Sequence, residues 1–291
     1  MTPDELKVAV LSVKRWSRGD QRAPNKPLMM VYALTKYSQG HEQMFSFEEV
    51  EHDVNELLRK FGPSRKSYHS LYPFWRLKND GFWQLNNAKK CLPRKSNTDP
   101  PKSELVKYRV TAGFNDDAYL ILKDNTQLVI DLIESILIQN FPNSIVSDLS
   151  MYLGLERTIS ETSKRDPNFR REVLRAYNYQ CAVCGYDLRM DDVSVGLEAA
   201  HIKWKQFNGP CAVSNGMALC TIHHKAFDKG AISFTDDLRL MLSPALNGGR
   251  LVDKLFHEFG GSQINYPKLS KLMPSSKWIE WHFSEVFVSD F

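Results

Sequence analysis

The chain has 291 residues, about twice the length of an ordinary domain, so two domains are expected. Apolar residues make up 42% and charged residues 25%, the balance of a folded globular chain, which excludes a largely disordered or fibrous protein. The richest apolar stretch, 128–141, is broken by Asp131, Glu134, Gln139 and Asn140, so nothing reaches the ~18 to 20 uncharged residues of a membrane span. The opening MTPDELKVAV puts acids ahead of a short amphipathic run, which does not read as a secretory signal, and a cytoplasmic protein is expected. Five cysteines, an odd number, argue for metal ligation over a disulfide framework.

Helical spacing puts Leu6, Val10 and Val13 on one side of residues 5–16. A second helix is expected over 26–37, where Asn25 offers a cap and Pro27 suits the first turn. The short apolar segment 44–47 leads into a third helix over 48–60, and Phe82 to Leu85 reads as a strand. Residues 127–139 make a patterned helix that Phe141-Pro142 closes, because a residue before proline is pushed out of the helical region. The polar stretch 156–166 marks a boundary, giving expected domains of 1–158 and 159–291. Beyond it, a helix over 169–177 leads into Cys181, a hairpin over 231–243 turns at Asp236-Asp237, and a last helix over 276–288 packs Trp278, Trp281 and Val286.

The net charge of +4 is unevenly spread. Arg59, Lys60, Arg65, Lys66, Arg76, Lys78, Lys89, Lys90, Arg94 and Lys95 are ten cations in a stretch whose one acid is Asp80. Lys14, Arg15, Arg18, Arg22 and Lys26 face only Asp20. The larger group interleaves with Tyr68, Tyr72, Phe74, Trp75, Phe82 and Trp83, a mixture that holds phosphates while apolar groups meet sugars or bases, so nucleic acid is the expected partner. Taken alone, the run Tyr72 to Trp75 reads as core packing.

Cys181 and Cys184 form a C-x2-C pair, and Cys220 and His223 supply a second pair at the same spacing, 36 residues on. Together they make one tetrahedral Cys3His site for a structural Zn²⁺. Cys91 and Cys211 fall outside this spacing and read as ordinary thiols. Between the pairs lie Leu197-Glu198-Ala199-Ala200-His201-Ile202 and Asn215-Gly216, and His224 follows the zinc ligand directly. From about Phe169 to the end of the hairpin this spacing resembles the HNH, or ββα-metal, nuclease motif. The resemblance implies that His201 takes a proton from the attacking water, Asn215 fixes the histidine-bearing loop, and His224 binds a catalytic divalent ion, Mg²⁺ or Mn²⁺. Helix neighbours point ~100° apart, so His223 can face zinc while His224 faces the other way, and Asp228 shares the face of His224 as a candidate second ligand. Many HNH sites carry Asp or His just before the first histidine, where this chain has Ala200. Either the ion binds weakly until DNA arrives, or Glu198 or Asp228 compensates.

Arg22-Ala23-Pro24-Asn25-Lys26-Pro27-Leu28 and Tyr68-His69-Ser70-Leu71-Tyr72-Pro73-Phe74-Trp75-Arg76-Leu77-Lys78-Asn79-Asp80-Gly81-Phe82-Trp83 are similar to segments of the sulfur-binding domain of phosphorothioate-dependent restriction endonucleases. The similarity runs from about Leu6 to Leu155, and the order of domains, with the HNH domain second, is also that family's. It implies that Tyr72 and Pro73 meet the sulfur, a large polarizable atom that accepts hydrogen bonds poorly and beside which proline leaves no N–H unsatisfied. Arg22, Asn25, Lys26 and Ser70 would hold the remaining oxygen and neighbouring phosphates. The expected fold is α+β, a mainly helical DNA-reading domain followed by a zinc-stabilised ββα nuclease domain. The expected activity is restriction of phosphorothioate-modified double-stranded DNA. The alternatives are an HNH endonuclease reading a modified base or plain sequence, and a non-catalytic zinc-supported DNA-binding protein. One HNH site cuts one strand, so a homodimer is expected.

Overall fold

The computed structural model describes residues 1–14, 17–18, 21–22, 24–63, 65–94, 99–155 and 167–289. The boundary stretch 156–166, with Arg15, Asp20 and Lys95 of the basic groups, lies outside the described residues, as do the side chains of Arg18 and Arg22. Two compact units emerge, Met1–Phe141 with Val146–Ser160, and Pro142–Ile145 with Glu161–Phe291. No helix of the described residues is long and apolar enough to cross a membrane.

The first unit opens with α1 (Pro3–Leu11), started by a capping box in which Thr2 and Glu5 each accept from the other's backbone N–H. It stops before residue 16, and Ser12 at its end turns its hydroxyl back onto the Ala9 carbonyl, the local competition that serine offers a helix. A ribbon of β1 (Ser17–Arg18) and β2 (Gln21–Arg22) precedes α2 (Asn25–Ser38). Every residue of α2 from Pro27 to Thr35 is buried, so it is the central helix. Around it pack α3 (Phe47–Phe61), α4 (Leu71–Arg76) and α7 (Thr126–Asn140). A three-stranded antiparallel sheet in the order β3 (Phe45–Ser46), β5 (Thr111–Phe114), β4 (Trp83–Asn86) completes the core, with Trp83 opposite Phe114 and Phe45 opposite Ala112. The short helices α5 (Lys102–Lys107) and α6 (Asp116–Lys123), with α8 (Asn143–Tyr152), fill out the order of elements.

One close approach fixes this sheet. Strand β5 passes the chain entering β3 so tightly that a Cβ on Gly113 would lie 2.1 Å from the Gln43 carbonyl oxygen. That oxygen accepts from the Tyr37 hydroxyl at 2.7 Å, and the Tyr37 oxygen accepts from Phe114 N at 3.2 Å. Burial pushes the Tyr37 phenol well above its ordinary range, so it stays a donor.

The second unit contains α9 (Pro167–Ala176), the small hairpin β6 (Arg189–Met190) and β7 (Val193–Ser194), and then β8 (Leu197–His201), β9 (Gly216–Cys220) and α10 (Thr221–Asp228). Strands β8 and β9 pair antiparallel from Leu197 opposite Cys220 to His201 opposite Gly216, and α10 begins where β9 ends. Both α9 and α10 pack on this hairpin, burying Val173, Leu197, Ala200, Met217 and Phe227. The hairpin expected at 231–243 is β10 (Ile232–Phe234) with β11 (Leu240–Leu242). After α11 (Arg250–Leu255), α12 (Ser276–Glu285) packs on β10. It ends three residues before the sequence pattern does, where Val286 N and Phe287 N both donate to the His282 carbonyl.

Substituting Gly113→Ala forces the Gln43 segment away and is expected to destabilise the protein by about 1–3 kcal/mol. Urea unfolding followed by tryptophan fluorescence reads this as a lower midpoint, and an unchanged midpoint would contradict the packing described.

Candidate active site and metal centre

Cys181 and Cys184 lie on the turn after α9, Cys220 caps α10, and His223 stands in the first turn of that helix. Their ligand atoms all lie within 4.8 Å of one another, the one such cluster of metal-ligating side chains among the described residues. His223 Nδ1 is 3.1 Å from Cys220 Sγ and 3.7 Å from Cys181 Sγ, while its Nε2–H donates to the Leu255 carbonyl at 2.8 Å. That bond leaves the ring's lone pair on Nδ1, aimed at the sulfurs, as a metal-ligating histidine requires. Donors at ~2.0–2.3 Å from one tetrahedral centre stand ~3.5–3.8 Å apart, so this set fits a metal ion. Hydrogen bonds among the three sulfurs push the Cys181 thiol up and draw Cys220 down toward thiolate.

His201 ends β8 beside Gly216. A Cβ on Gly216 would meet Val173 at 2.4 Å and Phe169 at 3.0 Å, so glycine lets α9 close over the hairpin. Phe169 then stacks on the His201 imidazole, with centroids 4.0 Å apart and 18° between planes. Asn215 is fully buried. Its Oδ1 accepts from Lys203 N at 2.8 Å, and its Nδ2 donates to the carbonyls of Lys203 and Pro210, both at 3.0 Å. Its own carbonyl accepts from Ile202 N at 2.9 Å, so the loop 202–210 is tied at both ends.

On α10 the neighbouring histidines diverge as the helical spacing predicts. His223 is buried in the thiol cluster, whereas His224 keeps 17% of its side chain exposed between two carboxylates. Its Nδ1 is 2.6 Å from Glu198 Oε2 on β8, and its Nε2 is 3.3 Å from Asp228 Oδ2 one turn on. Burial pushes the Asp228 carboxyl up, and the neighbouring His224 opposes that shift. Sequence reasoning passed over Cys211, whose Sγ lies 3.5 Å from His201 Nε2. Its place on the loop that Asn215 holds was the available signal.

In the first unit, Asn25 and Lys26 open α2, and Ser70, Tyr72 and Pro73 sit at the start of α4, which packs against it. Lys26 bridges to Asp80 at 2.5 Å, with both side chains mostly enclosed. Ser70 and Pro73 are buried, Tyr72 is half-buried, and Arg22's side chain lies outside the described residues. The Arg76 guanidinium lies over the Tyr72 ring at 4.6 Å and pairs with buried Asp99 at 2.6 Å. Phe74 is wholly buried and Trp75 nearly so, and Trp83 Nε1–H donates to the Phe74 carbonyl at 3.0 Å, which makes both part of the core.

The family model described as ScoMcrA-like, DNA sulfur-binding domain matches residues 3–158, more than half of the chain, and the one described as HNH endonuclease matches residues 181–235. The chain belongs to the ScoMcrA-like DNA sulfur-binding domain family. Its second domain is an HNH endonuclease domain, so it is a DNA-hydrolysing nuclease. Among solved structures, the sulfur binding domain of ScoMcrA complexed with phosphorothioated DNA is similar at a TM-score of 0.47 and 18% identity, covering 53% of this chain and 98% of that one. The sulfur binding domain of SprMcrA complexed with phosphorothioated DNA gives 0.44 and 16%, covering 53% and 95%. The modification-dependent TagI restriction endonuclease gives 0.31 and 26%, covering 43% and 39%. None of the curated proteins matches this chain.

Asn215→Ala would strand the Lys203 N–H and carbonyl inside the second unit and release the Pro210 carbonyl. At the usual cost of buried polar groups left unpaired, a loss of about 2–3 kcal/mol is expected. Calorimetric unfolding checks it, and a transition indistinguishable from wild type would contradict the clamp.

Proposed function

We propose that this protein is a restriction endonuclease whose first domain, residues 1–158, reads a phosphorothioate in double-stranded DNA and whose second, 159–291, hydrolyses nearby phosphodiesters. The observation that carries this reading is the combination, in one chain of the sulfur-binding family, of His201, Asn215 and His224 on a single hairpin-helix unit beside a Cys3His cluster. The cluster takes a structural Zn²⁺.

In the nuclease reaction His201 is the general base, accepting the proton of the water that attacks phosphorus. Asn215 acts on it through the backbone of the 202–210 loop. Glu198 accepts from His224 Nδ1–H and so turns the Nε2 lone pair toward Asp228, an arrangement of hard oxygen and nitrogen donors suited to Mg²⁺ or Mn²⁺. His224 and Asp228 would hold a divalent ion, whose charge would stabilise the scissile phosphate. Asp228 thus takes up the ligand role that Ala200 lacks, and Glu198 orients from behind.

In the reading domain, Tyr72 gives the sulfur an apolar face, with Pro73 next to it in α4 and Arg76 over the ring. Asn25, Lys26, Arg22 and Ser70 serve the phosphate oxygens, and a phosphate reaching Lys26 has to compete with Asp80. Because one site cuts one strand, double-strand cleavage is carried out by a homodimer.

Digestion of three matched duplexes, carrying the Rp sulfur, the Sp sulfur or oxygen alone, with Mg²⁺ or Mn²⁺ tests the proposal. Cleavage is expected for a sulfur-bearing duplex alone, and His201→Ala should abolish it while leaving DNA affinity close to wild type. Equal cutting of all three duplexes would overturn the sulfur dependence. Cutting by His201→Ala near the wild-type rate would overturn the assignment of the base.

A further inference from the structure

We propose that Arg76 is a positioning residue of the sulfur reader: paired to a buried carboxylate, its guanidinium lies over the Tyr72 ring and holds that ring in place for the sulfur. The inference rests on the reading of Tyr72 as the sulfur contact. The Arg76 guanidinium carbon is 4.6 Å from the Tyr72 ring centroid. Its Nε–H and Nη2–H both donate to Asp99 Oδ2, at 2.8 and 2.6 Å. Asp99 is 2% exposed, so the acid at the far end of this chain of contacts is enclosed by the fold.

Local structure explains the placement. Tyr72 and Arg76 stand one helical turn apart in α4, the spacing that brings two side chains together on a helix surface. A free arginine side chain samples many rotamers, and two charge-assisted bonds to a fixed acid remove most of that freedom. The acid is fixed from outside α4. Asp99 lies 23 positions along the chain, and its carbonyl accepts from Arg94 N at 3.1 Å. The His69 ring, 5.3 Å from that of Tyr72 and tilted by 55°, is a second aromatic neighbour, yet Tyr72 stays half-buried and part of it is open to a ligand.

The chemistry of sulfur makes the hold consequential. What sulfur gains over oxygen at an apolar surface is dispersion contact, and a gap of about half an ångström already forfeits about a quarter of such a contact. Discrimination therefore depends on where the ring is held. A cation that merely holds phosphate serves modified and ordinary DNA alike. Arg76 is poorly placed for that second role, because a phosphate would have to draw it away from Asp99.

The test titrates the full chain, without added Mg²⁺ or Mn²⁺, with the duplex whose sulfur diastereomer the wild type binds more tightly and with its all-oxygen match. Arg76→Lys keeps the charge but gives up the planar fork. Its sulfur-to-oxygen affinity ratio should fall about fivefold, the worth of one ring contact, while the all-oxygen affinity and its salt dependence stay close to wild type. Arg76→Ala should lower the ratio at least as far, with a lower melting temperature because buried Asp99 loses this partner. In a Tyr72→Leu background, Arg76→Lys should leave the ratio where Tyr72→Leu alone puts it. Both duplexes meet the same preparation, so a purely structural role or a phosphate contact weakens both alike and leaves the ratio in place. A wild-type ratio in either Arg76 variant overturns the proposal. So does a fall in the ratio that persists undiminished in the Tyr72→Leu background. If Tyr72→Leu itself keeps the wild-type ratio, the reading of Tyr72 as the sulfur contact has failed first, and the positioning role falls with it.

Discussion

Four donors tie the turn after α9 to the junction of β9 and α10, and the geometry of the nuclease unit follows from that tie. Cys220 closes the strand and occupies the N-cap position of the helix, so the Cys3His cluster lies where α10 begins. With His223 committed to the sulfurs, rotation along the helix carries His224 to the other side, where Glu198 of β8 meets it. The register that sets Glu198 opposite Leu219 is part of the same constraint, since a slip of one residue would send Glu198 to the opposite face. Without a cation the sulfurs compete for protons in a buried space. A metal bound there would add its binding energy to the folding of the surrounding unit.

The chemistry is divided by surroundings. His201 ends β8 with its imidazole stacked on Phe169, and the loop that follows is held by a fully buried asparagine. His224 lies between carboxylates on a helix. Small residues make these placements possible, since side chains at Gly216 and Gly209 would collide with Phe169 and with the Lys203 carbonyl.

Much of this was legible in the sequence, for identifiable reasons. The Cys-x2-Cys and Cys-x2-His pairs specify a cluster through spacing alone, and the long helices announce themselves by period. The short elements α4 and β5 show no such period and were not read. Pairings between distant residues were invisible as well. Lys26 and Asp80 are 54 positions apart and Arg76 and Asp99 are 23 apart, so counting cations along the chain overstated the charge left for DNA. Burial of Ser70 and Pro73 is likewise a product of α4 packing on α2. Glu198 entered the sequence reading as one of two candidate replacements for a missing ligand. Both carboxylates meet His224, Glu198 at Nδ1 and Asp228 at Nε2, contacts that no spacing announces.

X-ray absorption at the zinc edge of the purified full-length protein tests the central constraint directly. The account predicts one zinc per chain with three sulfurs at ~2.3 Å and one nitrogen at ~2.0–2.1 Å. A protein that folds and cuts DNA with no zinc, or with zinc bound to oxygen and nitrogen alone, would contradict it.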